Sequence, residues 1–139
     1  MLPNPPKRTV NTTMVKSGWM IAQVTAAALA SENKGLAHPA SVDSVPTSAN
    51  KEDFVSMGMG AALKLKQIVS NAAQIVAIEL LCAAEGVEVH APLAPGAGVA
   101  EGLKRLRAQV PAAQGDEVFG PRLELVRELI LSGFFEARG

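Results

Sequence analysis

From about Asn50 to Glu85 apolar residues recur at helical spacing, and the helix they predict constrains everything around it. At about 1.5 Å per residue it is on the order of 50 Å long. One apolar stripe runs from Phe54 and Ala61 through Leu65, Ile68 and Ala72 to Ile75 and Cys82. A second runs from Val55, Met59 and Ala62 through Val69 and Ala73 to Val76 and Leu80. Two stripes demand contacts on more than one side, which places the helix in the middle of a bundle. The rest of the chain offers only shorter helices to cover it. Exposed apolar patches of that size usually meet a partner, so the chain reads as a subunit or a piece of a larger polypeptide. The expected fold is all-α: a long central helix with shorter helices, part of a larger helical bundle.

Composition supports helices. Of 139 residues 48% are hydrophobic but only 4% aromatic, with Ala, Leu and Val supplying most of the apolar surface, which disfavours a β-sandwich. Thirteen basic and 13 acidic residues balance, leaving no basic stripe for nucleic acid and no polybasic patch for a membrane surface. No uninterrupted apolar run reaches the roughly 18 residues a spanning helix needs. Lys7-Arg8 precede an apolar run ending Ala28-Leu29-Ala30-Ser31, which superficially resembles a secretory signal, but Lys16, Gln23 and Thr25 interrupt it and the reading is rejected. The single cysteine, Cys82, allows no intramolecular disulfide; a buried, inert thiol in a reducing cytoplasm is expected.

Three segments follow from the pattern. Residues 1–14, with Pro3, Pro5 and Pro6 and no periodicity, form an irregular N-terminal segment. Residues 15–86 form a helix, a loop and the long helix. The first of these helices spans Val15 to Asn33, with Trp19, Met20, Gln23, Val24, Ala27 and Ala30 at helical spacing, and stops at Lys34-Gly35. Pro39 and Pro46 keep Leu36–Ala49 extended or turned, and Asn50 is an N-cap candidate with Glu52 and Asp53 in the first turn; Gly86 ends the long helix. Residues 87–139 form a C-terminal helical segment: a linker, a short helix over Val99–Gln109 with Leu103, Leu106 and Val110 inward, a turn at Gly115–Gly120, and a last helix from Pro121 to Leu131. Its inward face is Leu123, Val126, Ile130 and either Leu125 or Leu129, and Ser132-Gly133 ends it.

No Gly-rich phosphate loop, Cys/His cluster at metal spacing or nucleophile-elbow motif occurs. His38 reads as a structural residue bonding loop carbonyls, and His90 as a solvated linker residue. Glu52 is the carboxylate of interest. In a first helical turn it would be held as the anion and could accept a hydrogen bond from a ligand N–H, but read from the residues alone it is simply a capping residue.

The wording of two stretches is distinctive. Lys16-Ser17-Gly18-Trp19-Met20-Ile21-Ala22-Gln23 and Thr47-Ser48-Ala49-Asn50-Lys51-Glu52-Asp53-Phe54-Val55-Ser56-Met57 are similar to Asn-Ser-Gly-Phe-Met-Ile-Ala-Gln and Thr-Ser-Ala-Asn-Gln-Glu-Asp-His-Val-Ser-Met of the histidine ammonia-lyases in the aromatic amino acid lyase family. The likeness continues through Ala77-Ile78-Glu79-Leu80-Leu81 and Ala83-Ala84-Glu85-Gly86, and more loosely to Ser132-Gly133.

The resemblance implies the C-terminal part of such an enzyme, which deaminates L-histidine to urocanate and ammonia in histidine catabolism. It implies a cytoplasmic homotetramer around a central helical bundle, an amino acid substrate, and a methylidene-imidazolone electrophile made from an internal Ala-Ser-Gly, with no metal. By position, Glu52 matches the glutamate facing the substrate imidazole, Met20 and Val24 wall that pocket, and Ser48 and Lys51 lie beside it. Lys16, Lys51 and Phe54 depart from the family's usual Asn, Gln and His. The 139 residues contain no Ala-Ser-Gly and no tyrosine, the family's proton-transfer residue, so the chain alone is expected to be inactive and to need an N-terminal lyase part. The alternatives are a non-catalytic helical oligomerisation remnant, or a related aromatic amino acid lyase or aminomutase.

Overall fold

The computed structural model describes residues 17–113 and 117–136. The expectations for residues 1–14, for Val15 and Lys16 and for the first part of the turn at 115 lie outside them. Four helices follow one another: α1 (Ser17–Leu36), α2 (Gly58–Val89), α3 (Ala97–Gln109) and α4 (Gly120–Leu131). Short 3₁₀ turns at Ala40–Val42 and Ser48–Asn50 interrupt the long α1–α2 connection. Among the described residues there is no strand, only an isolated antiparallel bridge between Thr47 and Glu52. The all-α expectation holds.

α2 is the organising helix, 32 residues and thus about 48 Å long, and α1 and α4 both pack on it. Its boundaries differ from those read in the sequence. It begins at Gly58 rather than at Asn50, because Ser48, Ala49 and Asn50 all take positive φ, which a right-handed helix cannot incorporate. It also runs through Gly86 to Val89, where the helical penalty of a glycine is offset by tertiary contacts that Ala84, Glu85 and Glu88 make. α1 likewise passes through Gly35 before stopping at Leu36. α4 ends as expected: Gly133, at φ 74, turns the chain back so that its N–H reaches the Ile130 carbonyl (3.1 Å) and the Phe134 N–H that of Leu129 (3.0 Å).

The core lies along the C-terminal half of α2. Ala77, Ile78, Leu81 and Ala84 pack with Ala22 of α1, Leu106 and Val110 at the end of α3, and Leu123 and Val126 of α4. Val110 and Val126 are fully buried, each worth about 2 kcal/mol of transfer free energy. The inward faces of α3 and α4 are those the sequence indicated, with Leu129 half-buried and Leu125 exposed. Trp19 closes the far end, its ring centroid 4.5 Å from that of Phe119.

The faces of α1 and α2 are a correction. On α1 the packed side is Trp19, Ala22 and Ala26, while Met20 and Val24 are more than 60% exposed. On α2 the buried residues are Asn71, Ala73, Ala77, Ile78, Leu81 and Ala84, so of the two expected stripes only Ala73 is buried. Phe54, Met59, Leu65, Val69 and Val76 face outward. Ala22, Ala73, Ala77 and Ala84 let the helix backbones approach closely, with Ile78 and Leu81 the large side chains buried among them, while the large residues of the expected stripes are left outside. Cys82, expected to be buried, is exposed.

Candidate functional site

The segment joining α1 to α2 is fastened at three points. The Ala40–Val42 turn packs against α2, the Lys64 ammonium donates to the His38 carbonyl, and the Val55 N–H donates to Ser44 Oγ at 2.9 Å. His38 therefore serves through its backbone, its own N–H reaching the Gly35 carbonyl at 3.2 Å, rather than through its imidazole as expected. His90 is exposed and caps the C-terminus of α2 with its backbone N–H.

Within this segment residues 47–52 close a tight loop. The Thr47 N–H donates to the Glu52 carbonyl (3.0 Å), the Glu52 N–H to the Thr47 carbonyl (3.4 Å) and the Lys51 N–H to the Ser48 carbonyl (3.2 Å). Three successive non-glycine residues hold φ of 54, 56 and 66 at its tip, a left-handed run that persists only where the closure enforces it. Glu52 is thus carried on a strained loop and not in a first helical turn; α2 has no acidic residue in its first turn. What fixes the carboxylate is Thr47, whose hydroxyl donates to Glu52 Oε2 at 3.2 Å. Among the described residues Oε1 has no hydrogen-bond partner, and the side chain is exposed, so it is free to accept from an N–H outside this chain.

Met20 and Val24 line a shallow groove along the open side of α1, about 430 Å³, with Ile21, Ala28 and Leu29 beside them and Glu32 at its end. Ser48, Lys51 and Glu52 share the loop tip, all exposed. The structure brings the five expected site residues into two groups, one on α1 and one on the loop, and no described hydrogen bond or ion pair joins them.

Sequence reasoning missed two polar clusters. Asn71, 4% exposed, is the centre of the first. Its Nδ2 donates to Glu32 Oε2 and to Asn33 Oδ1, both at 3.0 Å, and its Oδ1 accepts from Gln67 Nε2 at 2.8 Å. The signal was available: an amide amid an apolar run, facing a Glu-Asn pair near the end of α1. The second is Arg107, which binds Glu88 through Nε (2.7 Å) and Nη2 (2.8 Å) and Glu85 through Nη2 (2.9 Å), fastening α3 to α2. Burial acts to lower its pKa, but the hydrogen bond and charge of Glu88, with those of Glu85, outweigh this and leave it raised. Burial first, and Glu85 second, push the Cys82 thiol upward despite its exposed surface. No group of three or more His, Cys, Asp or Glu suited to a metal occurs among the described residues, and none of the described helices is long and apolar enough to cross a membrane.

Residues 3–108 match the family model for aromatic amino acid lyases, and the chain belongs to that family. The relatives are specific. It is 54% identical over 123 residues to a histidine ammonia-lyase of Shewanella woodyi and, equally, to one of Rhodospirillum rubrum, in each case over 88% of this chain. The crystal structure of histidine ammonia-lyase from Trypanosoma cruzi superposes with a TM-score of 0.80 at 43% identity, over 85% of this chain and 24% of that one. A tyrosine aminomutase from Streptomyces globisporus superposes at 0.77 and 34% identity, over 86% of this chain and 23% of that one. The chain spans about a quarter (24%) of the length of the curated relatives it matches.

Proposed function

We propose that this chain is the C-terminal portion of a histidine ammonia-lyase and works only together with the remainder of such an enzyme, in the cytoplasm and as a homo-oligomer. What carries this reading is the 54% identity to histidine ammonia-lyases over 123 residues, a span that includes the Glu52 loop. The proposed reaction is loss of ammonia from L-histidine to give urocanate. Glu52 Oε1 accepts a hydrogen bond from the substrate imidazole N–H, while Thr47 steadies Oε2. Met20 and Val24 supply apolar wall, and Ser48 and Lys51 flank the carboxylate.

The family's electrophile, a methylidene-imidazolone, needs an internal Ala-Ser-Gly, and the 139 residues contain none. The residues present do not fit that group. With no tyrosine either, proton transfer falls to a different segment.

The test is reconstitution: the chain is mixed with the complementary part of a related lyase and urocanate absorbance is followed. Glu52→Gln replaces a charge-assisted hydrogen bond of about 1.5–3 kcal/mol by a neutral one, so turnover should fall on the order of tenfold. Association with unaltered histidine turnover in the variant would remove Glu52 from the site. The similarity to a tyrosine aminomutase supports a second reading, an aminomutase or lyase acting on another aromatic amino acid. A substrate panel on the reconstituted enzyme separates the two. A chain that self-associates yet never reconstitutes activity would be an oligomerisation module.

A further inference from the structure

We propose that Ser44 is a positioning residue for Glu52: its hydroxyl fixes the base of the loop whose tip holds the carboxylate. The proposal deepens the histidine ammonia-lyase reading above and rests on it.

The tip does not hold itself. Thr47 and Glu52 form an isolated antiparallel bridge, and the pairing does not run on to Val45 and Phe54. Pro46, beside the bridge, has no N–H to give. Against that single bridge stand Ser48, Ala49 and Asn50, all at positive φ, a run that persists only where the chain on either side is held. A bridge of two bonds, the longer at 3.4 Å, is a weak closure for such a turn.

Ser44 supplies the second closure. Its Oγ accepts from the Val55 N–H at 2.9 Å. Ser44 lies three residues before Thr47 and Val55 three after Glu52, so the side chain continues the antiparallel register that the backbone abandons. Burial marks the same point. From Ser41 to Val55 only Ser44 and Val55 are half-buried, and every other residue is exposed. A hydrogen bond sheltered in this way is stronger than one in open water.

Each arm of this closure leads directly into the scaffold. Before Ser44, the Ala40–Val42 turn packs on α2 and the Lys64 ammonium holds the His38 carbonyl. After Val55 the chain enters α2 at Gly58, with the Met57 carbonyl already accepting from the Ala61 N–H at 3.0 Å. The line of contacts therefore runs from α2 through Val55 to Ser44, along the chain to Thr47, and through the Thr47 hydroxyl to Glu52 Oε2. Without the Ser44 hydroxyl the two arms part at the base, and the carboxylate moves with them. Ser44 acts through Glu52 and takes no part in the chemistry itself.

Two measurements test this. The first uses the chain alone and no substrate. In Ser44→Ala, amide hydrogen exchange followed by NMR should quicken at least about threefold at Thr47, Lys51 and Glu52 as well as at Val55, while α2 stays protected. Ser44→Thr, which keeps the acceptor, should exchange like the wild type. Acceleration confined to Val55 would overturn the proposal.

The second is a double-mutant cycle in the reconstituted lyase. Ser44→Ala should lower kcat/KM for L-histidine about three- to tenfold, and Ser44→Thr should restore most of it. In the Glu52→Gln background the same Ser44→Ala change should cost less than about twofold, because the charge it positions is already gone. A merely structural role predicts equal losses in both backgrounds, and that result, or a Ser44→Thr variant as impaired as Ser44→Ala, overturns the proposal alone. A reconstituted enzyme indifferent to Glu52→Gln overturns the reading of Glu52 and the positioning role with it.

Discussion

Asn71 Nδ2 donates to Glu32 Oε2 at 3.0 Å, joining α2 to α1 across 39 positions of chain. The amide is almost wholly removed from solvent, and each of its polar atoms is occupied by a partner on α1 or α2. An apolar contact at that level would hold the helices together in many registers; this one is satisfied in a single register.

Asn71→Ala should therefore cost more than its lost contacts. It leaves the Glu32 carboxylate, the Asn33 carbonyl and the Gln67 amide short of a partner at a partly buried interface, and we expect a loss of about 2–4 kcal/mol. Urea unfolding followed by circular dichroism measures it. Asn71→Asp removes the Nδ2 donor and sets a second carboxylate against Glu32. Its stability should consequently fall below that of the wild type at neutral pH and recover as the pair takes up a proton in acid.

The second joint is Arg107. Its two bonds to Glu88 and one to Glu85 lie at the end of α2 that the sequence placed at Gly86, and they account for the extra turn that reaches Val89. Arg107→Lys keeps the charge but cannot reproduce the fork, and should cost about 1–3 kcal/mol. Amide hydrogen exchange should show the loss confined to α3 and the last turn of α2. Uniform loss of protection across α1 would contradict that assignment.

What was legible in the sequence and what was not divides along physical lines. The helices themselves, the inward faces of α3 and α4 and the stop at Gly133 were legible, because each is encoded by a local pattern of apolar spacing or a residue suited to positive φ. The faces of α1 and α2 were not. The expected stripes ran through Met20, Leu65 and Val76, whereas the intramolecular contact uses Ala22, Ala77, Ile78, Leu81 and Ala84, on neighbouring faces that are also apolar. Alanine is ambiguous on either side of a helix, and only the partner decides. The Glu52 loop misled for another reason: Asn50 has the chemistry of an N-cap, but the Thr47–Glu52 closure, which no propensity scale records, prevents a helix from starting there.

Trp19 is the only tryptophan, so its stacking on Phe119 can be read directly by fluorescence. Phe119→Leu should shift the emission to longer wavelength as the indole gains solvent, with a stability loss of about 1 kcal/mol from the aromatic pair. An unshifted spectrum would mean that the two rings do not hold the N-terminal end of α1 against the approach to α4.

Cys82 gives a pH prediction. Its thiol is raised above the ordinary value by burial and by the negative charge of Glu85, so the reactive thiolate is scarcer than in an unfolded chain. Alkylation by iodoacetamide near pH 8 should be slower in the folded protein than in urea, even though the side chain is exposed. Glu85→Gln should lower the thiol pKa and quicken the reaction. The folded state binds the proton more tightly, so this group's stabilising contribution is lost as pH rises through the raised value.

The tip of the Glu52 loop offers the last test, because there the usual effect of glycine reverses. Ala49 sits at φ 56, ψ 45 between two other left-handed residues, a conformation that costs an L-residue about 1–2 kcal/mol. Elsewhere Ala→Gly destabilises by loosening the unfolded chain, but at this position relief of the strain should offset that entropy. Ala49→Gly is accordingly expected to be neutral or stabilising by up to about 1 kcal/mol. Ala77→Gly in the core of α2, measured by the same thermal melts, should lose about 1 kcal/mol or more. If Ala49→Gly were as costly as Ala77→Gly, the left-handed tip would be wrong, and with it the account of how Thr47 and Glu52 are brought together. If it is tolerated, the same variant in the reconstituted enzyme asks whether turnover needs the loop held rigid, since Ala49→Gly loosens the tip without touching the Thr47–Glu52 bond.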